Sequence, residues 1–171
     1  KKELDSSYFD NSDLSIDLQY SSSDTYLKSY KLDSPLINND TGTLTSTFGF
    51  IGSKEDLSLE VDFIVYENLS DVSNSDKYEY VYPSYNFKKD LYDDLLLSGN
   101  FDLNSSGYIK NYDTNVFEKV VINDFLYSSN PKFSRAGFKS SHNILFKNIN
   151  TDSKNSKNYK ENLDTKVATL V

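Results

Sequence analysis

The segment LSLEVDFIVY, Leu57–Tyr66, decides the fold class of this chain. Its odd-numbered residues are apolar, and its even-numbered residues are polar except for Ile64. Successive side chains of a β-strand point to opposite faces, so this alternation predicts a strand with one apolar and one polar face. A strand from Asp56 to Asn68 would be about 40 Å long at about 3.3 Å per residue. Tilted by about 40°, it would span an apolar band of about 25 Å.

Other segments repeat this alternation less strongly and are separated by turn-forming residues. They predict further strands at 13–20, 43–51, 77–87, 94–104, 115–127, 132–146 and 162–171. Pro83 lies inside one of them and cannot donate to the ladder, so we expect an edge, a bulge or a strand end there. Asp24–Tyr30 is predicted to form a helical turn. Residues 1–171 are therefore predicted to be one all-β unit, incomplete at both ends.

The predicted connections alternate between short and long. Short turns are expected at 52–55, 88–93 and 128–131, and longer loops at 21–42, 69–76, 105–114 and 147–161. Transmembrane barrels combine short periplasmic turns with longer outer loops. The connections of a soluble sandwich cross between sheets, which gives no reason for such regularity. The pattern predicts an antiparallel up-and-down meander of about eight strands, a partial segment of a large transmembrane β-barrel. A soluble β-sandwich or jelly-roll binding module is the alternative.

The two faces of the predicted sheet carry the candidate functional residues. The lipid-facing candidates are Leu57, Leu59, Val61, Phe63 and Val65. Charges near a bilayer midplane are costly, so polar residues on the other face are expected to line a lumen. The lumen-facing candidates are Glu60, Asp62, Asn100 and Asp102. Tyrosines near strand ends suit the aromatic girdles of a barrel, although their β-propensity alone explains them as well. These tyrosines are Tyr20, Tyr66, Tyr78 and Tyr127.

Composition argues against several kinds of chemistry. The chain has no Cys and a single histidine, His142, and its net charge is −8. Without Cys there are no disulfides, thiolate metal sites or thiol nucleophiles. One histidine assembles neither a metal site nor a catalytic triad without partners at defined geometry. Nucleic-acid binding would require a basic stripe, which the overall charge does not suggest. We therefore expect no enzyme activity, no catalytic residue, no metal or cofactor, and no nucleic-acid partner.

Several segments resemble the LptD family, also called OstA or Imp, of outer-membrane lipopolysaccharide-assembly proteins. Asp24–Tyr30 followed by Leu44–Ser46 is similar to the family's D-x-x-[FY]-L-[RK]-x-Y … L-x-S segment. Val65–Leu69 and then Tyr80–Tyr85 resemble the next family segments, a strand ending in Leu and an x-x-P-x-[FY] strand. The similarity runs from about residue 13 to about residue 150, and it depends on the order and spacing of degenerate motifs.

The resemblance implies a location and partners. Members of the family form a very large outer-membrane barrel, which is plugged by a lipoprotein called LptE. They receive lipopolysaccharide from a periplasmic bridge and release it into the outer leaflet. By resemblance, this chain is expected to be part of that barrel in a Gram-negative outer membrane. Its expected partners are an LptE-like plug, the periplasmic bridge, lipopolysaccharide and outer-membrane lipid.

Overall fold

The structure, a computed structural model, describes residues 2–3, 7–31, 42–70, 76–93, 98–112 and 115–171. The described residues form eleven strands and one short helix, α1, Tyr26–Tyr30. The strands are β1 Lys2–Glu3, β2 Asn11–Asp17, β3 Thr43–Lys54, β4 Leu57–Asn68, β5 Tyr78–Asp93, β6 Gly99–Tyr112, β7 Val116–Ser129, β8 Lys132–Phe133, β9 Lys139–Ser140, β10 Asn143–Lys154 and β11 Asp164–Leu170.

Nine of the strands form one antiparallel sheet. Its order is β1 to β7, followed by β10 and β11, so each strand lies beside its neighbour in the chain. Only the small β8–β9 hairpin interrupts this sequence, between β7 and β10. The predicted all-β, antiparallel up-and-down meander is confirmed. Across the described residues the sheet is open and single-layered, with contacts between adjacent strands only, so this part of the chain is not a sandwich.

Local features of the first half agree with the sequence. The strand around Leu57–Tyr66 is the second arm of the β3–β4 hairpin. The register of β5 shifts at Tyr82–Pro83, so the expected irregularity is a β-bulge. The predicted helical turn is α1. Its Leu27 packs with Leu44 and Leu69, which makes a small buried cluster over one end of the sheet.

Several predicted connections were wrong because polar residues were assigned to loops. β5 continues through the predicted turn at 88–93, where Lys89 forms an ion pair with Asp56 of the preceding turn. β6 continues through most of the predicted loop at 105–114 and ends at Tyr112. β10 extends to Lys154, into the predicted loop at 147–161. Residues 94–97, the start of one predicted strand, lie outside the described residues.

The predicted strict alternation of short and long connections was also wrong. The predicted turn at 128–131 is the start of a long connection, residues 130–142, which contains the β8–β9 hairpin. At the opposite rim, only residues 113–115 join β6 to β7. Each rim therefore carries both short and long connections.

The sheet leaves much apolar surface uncovered. Phe48, Phe63, Phe125 and Phe146, which lie on one face of the sheet, remain 41%, 44%, 38% and 42% exposed. Among the described residues, the only buried hydrophobic side chains are Leu27, Leu44, Leu69 and Val120. Over most of its extent the single layer has no second sheet on either face against which side chains could be buried. No helix among the described residues is long and apolar enough to cross a bilayer.

Candidate functional site: the two faces of the sheet

The strand register separates the two groups of candidate residues. Directly opposed residues of an antiparallel pair share a face. Glu60 is opposite Asn86, and Asp90 on the same face of β5 is opposite Asp102. We call this side the polar face, and it carries Glu60, Asp62, Asn100 and Asp102. The other side, the apolar face, carries Leu57, Leu59, Val61, Phe63 and Val65. Their assignment to lumen and lipid stays a prediction.

The apolar face is richest in large side chains on β2 to β5. Phe48 and Phe63 are opposed on β3 and β4 with ring centroids 6.1 Å apart, and they remain 41% and 44% exposed. Phe50 lies beside Val61, which is opposite Tyr85 on β5. No second layer covers these side chains in the part of the chain that the structure describes.

A polar ladder interrupts the apolar face on the later strands. Tyr85 and Ser105 have hydroxyl oxygens 3.1 Å apart, and the Ser105 hydroxyl donates to Asn123 Oδ1 at 2.7 Å. The Asn123 amide then donates to Asn148 Oδ1 at 3.2 Å. These contacts link β5, β6, β7 and β10 in one chain of hydrogen bonds. The full polar ladder consists of Tyr85, Ser105, Asn123, Asn148, Asn150 and Thr165.

The ladder continues to the edge strand. Asn150 donates its amide to Asn148 Oδ1 at 2.5 Å, and Thr165 of β11 donates its hydroxyl to Asn150 Oδ1 at 3.0 Å. The ladder was not predicted, because Ser105, Asn148 and Asn150 fell in segments predicted to be loops. The signal was Asn at both 148 and 150, two residues apart, which places both amides on one face of an extended strand.

The polar face carries carboxylates, of which some form ion pairs with lysines and others do not. Asp62 leans over Gly49 of β3, so closely that a Cβ at Gly49 would lie 2.5 Å from its Oδ1. Asp90 and Asp102 are directly opposed, and Asp90 forms an ion pair with Lys88 at 3.2 Å. No group of three or more His, Cys, Asp or Glu side chains among the described residues is arranged to hold a metal ion.

Near one rim of the polar face, Glu118 anchors the connection between β10 and β11. Its side chain is buried, with the residue only 2% exposed. Glu118 accepts hydrogen bonds from the Tyr112 hydroxyl at 2.9 Å, the Ser156 hydroxyl at 2.5 Å and the Asn158 amide at 3.3 Å. The Ser153 hydroxyl also donates to the carbonyl of Lys160 at 2.6 Å. Residues 155–163 are thereby folded over the polar face.

At the same rim, a lysine clip holds the segment around α1 over the apolar face. Lys77 Nζ lies 2.7 Å from Asp24 and 3.2 Å from Glu67. Hydrogen bonds to Asp24 and then to Glu67 raise the pKa of Lys77 above its usual range. At the other rim, the hydrogen bond from Lys89 lowers the pKa of Asp56. Both pairs lie where a connection meets the sheet.

The predicted girdle residues are only partly in suitable positions. Tyr66 and Tyr78 lie near one rim but on opposite faces, and Tyr127 lies on the apolar face near the other rim. Tyr20 is outside the strands and 83% exposed. His142 lies in the connection before β10, where its backbone amide donates to Ser129 Oγ at 2.7 Å.

Comparison of the chain with protein-family models, with curated proteins and with solved structures gives no match.

Proposed function

We propose that this chain is a section of an outer-membrane β-barrel translocon that assembles lipopolysaccharide at the cell surface. Its role is passive. The strands separate lipid from a polar lumen, and the cargo moves along the lumen without a catalytic group. Glu60, Asp62, Asn100 and Asp102 line the lumen in this proposal. Leu57, Leu59, Val61, Phe63 and Val65 face lipid.

One observation carries the proposal. A single-layered sheet presents five large apolar side chains of β4 on one face and charged side chains on the other. In water, an apolar strand face gains its stability from a second layer, and the described residues provide none. Hydrocarbon on one side and water on the other satisfy both faces of the same strand.

The dimensions of the apolar face support this arrangement. On β6, Asn111 lies opposite Tyr80 and Phe101 lies opposite Leu91. The two rows are ten residue steps apart on β6, which corresponds to about 33 Å along the strand. With a tilt of about 40°, this distance becomes about 25 Å, the height of the apolar band of outer-membrane barrels. Aromatic side chains lie in or beside both rows, including stacked Tyr78 and Tyr80 at one end.

The cargo is proposed from the resemblance to the LptD family. Tyr80–Tyr85, which carries the family-like x-x-P-x-[FY] segment, forms the bulged part of β5. Asp24–Tyr30 contains α1, which is docked beside β3. An LptE-like lipoprotein plug and a periplasmic lipopolysaccharide bridge are the corresponding partners. A Gram-negative outer membrane is the corresponding location.

The polar ladder favours a second candidate, a soluble binding module. Ser105, Asn123 and Asn148 occupy neighbouring strands in one row of the apolar face, where a lipid-facing surface would carry apolar residues. Amide and hydroxyl groups that remain available on such a row could bind a polar ligand. In this second candidate, both faces of the sheet are in contact with water.

Site-specific labelling distinguishes the two candidates. The chain has no Cys, so Phe63→Cys and Glu60→Cys each create a single attachment point for the fluorophore NBD. Both residues are exposed, lie on β4 and belong to opposite faces. After reconstitution into vesicles, we expect lipid-attached nitroxide to quench the label at residue 63 and iodide to quench the label at residue 60. Equal quenching by iodide at both positions would overturn the membrane role.

The transport role requires a separate measurement. A benzophenone crosslinker at Asn100 should capture lipopolysaccharide in cells that express the chain within its full-length protein. The same crosslinker at Phe63 is the matched control and should capture phospholipid instead. If the label at residue 63 contacts lipid but the crosslinker at residue 100 captures no lipopolysaccharide, the membrane role stands and the proposed cargo is wrong.

A further inference from the structure

The β8–β9 hairpin projects from one rim of the sheet with its side chains in solvent. Every residue from 131 to 144 is exposed. The base is fixed by backbone hydrogen bonds from Ser129 to the His142 carbonyl and from Asn130 to the Ser98 carbonyl, each 2.8 Å. The tip is a tight turn, in which the Ser134 amide donates to the Phe138 carbonyl at 2.8 Å. Gly137 has φ +85 in this turn, a backbone conformation that favours glycine.

The hairpin is positively charged in an otherwise acidic chain. It carries Lys132, Arg135 and Lys139, and Arg135 is the only arginine of the protein. No Asp or Glu occurs between Asp124 and Asp152, the longest such interval in the sequence. None of the three cations forms an ion pair with a described residue. Their charges are therefore available to an outside anion.

Two phenylalanines flank the tip. Phe133 is 72% exposed and Phe138 is 74% exposed. Phe133 is opposite Lys139, and Phe138 directly precedes that lysine, so the two rings lie on different sides of the hairpin. A flat protein partner would cover only one of these rings. A medium that surrounds the tip covers both.

We infer that the hairpin is an attachment site for an anionic lipid bilayer, which the tip enters between the head groups. Phe133 and Phe138 reach the interfacial region, where aromatic rings are favoured, while the cations remain level with lipid phosphates. The charge complementarity selects anionic lipids, because each cation near such a surface contributes to binding. Attachment through the hairpin does not require that the sheet itself spans a bilayer.

The test uses a fluorophore at the hairpin tip. The substitution Ala136→Cys introduces the only thiol of the chain, and this thiol is labelled with NBD. We expect its fluorescence to rise with vesicles of phosphatidylcholine and phosphatidylglycerol, but not with phosphatidylcholine alone, and the rise to decrease in 0.5 M salt. The triple change Lys132→Gln, Arg135→Gln and Lys139→Gln should weaken binding on the order of 100-fold.

A matched variant controls for loss of charge in general. Lys28→Gln, Lys31→Gln and Lys157→Gln together remove three exposed cations outside the hairpin, and binding should be unchanged. Phe133→Ser with Phe138→Ser should abolish the fluorescence rise. An equal rise with soluble polyglutamate would identify an acidic polymer as the partner and overturn the inference, as would no rise with either vesicle. The label at residue 63 reports on the sheet separately, so either proposal can fail alone.

Discussion

The phenol ring of Tyr85 lies over Gly107, its direct cross-strand partner on β6. A Cβ at Gly107 would lie 2.8 Å from Tyr85 Cε1 and 2.5 Å from the carbonyl oxygen of Val120. The ring can cover the strand only because residue 107 has no side chain. This contact places the Tyr85 hydroxyl within reach of Ser105, at the start of the polar ladder.

Gly107→Ala tests this contact. We expect the free energy of unfolding to fall by about 1–3 kcal/mol, because the added methyl overlaps backbone as well as the ring. Urea unfolding followed by circular dichroism measures the change. Gly42→Ala is the matched control, since a Cβ there meets nothing within 4 Å, and it should change stability by less than about 0.5 kcal/mol. A more stable Gly107→Ala protein would contradict the described packing.

Asn148→Ala tests the polar ladder. Asn148 Oδ1 accepts hydrogen bonds from both Asn123 and Asn150, so its removal leaves two amide donors without their acceptor. We expect a loss of about 1–3 kcal/mol in urea unfolding. Asn104→Ala removes an exposed amide on the polar face of β6 and should cost less than about 0.5 kcal/mol. If Asn148→Ala lowered the free energy of unfolding as little as Asn104→Ala does, the ladder would add no stability.

The lysine clip predicts a stability difference that depends on alkaline pH. Because Asp24 and Glu67 raise the pKa of Lys77, the folded protein holds this proton more tightly than the unfolded chain. The stabilisation is complete below the ordinary lysine value of 10.5 and is lost as the pH rises through the raised pKa. We expect Lys77→Met to lower the melting temperature by a constant amount between pH 7 and 9, and by less above pH 10.5.

Thermal melts of both proteins over this pH range measure the difference. Lys28→Met removes an exposed lysine of α1 and serves as the control, with no pH-dependent difference expected. A difference between wild type and Lys77→Met that does not change up to pH 12 would show that the lysine acts through packing alone.

The sequence predicted strands best where apolar and polar residues alternate. Leu57–Tyr66 follows period two almost without exception, so its strand, its hairpin partner and its two faces were all predictable. The stretch 104–107, Asn-Ser-Ser-Gly, has the composition of a turn and yet lies within β6. These residues fit a strand because of neighbours that are distant in sequence. Tyr85 packs over Gly107, and Asn123 accepts a hydrogen bond from Ser105. Those neighbours are known only once the register is known.

The hairpin was missed for a related reason. Phe133 and Phe138 were assigned to one long strand because apolar residues usually mark a sheet face. They are instead exposed near a rim, and Gly137 between them was the local signal for a turn. The cations of this hairpin were also missed, because a net charge of −8 does not show how charges are distributed along the chain. The two groups of candidate residues lie on opposite faces of the sheet, which follows from alternation alone, and their assignment to lipid and lumen stays a prediction.

The adjacency of the strands has a mechanical consequence. Each strand of the sheet contacts only the strands beside it, so β1 and β11 at the two margins are each paired through a single strand interface. Disruption of β11 would remove a single interface and leave the β3–β4 hairpin unaffected. Such a margin can fray by local opening while the central strands stay paired.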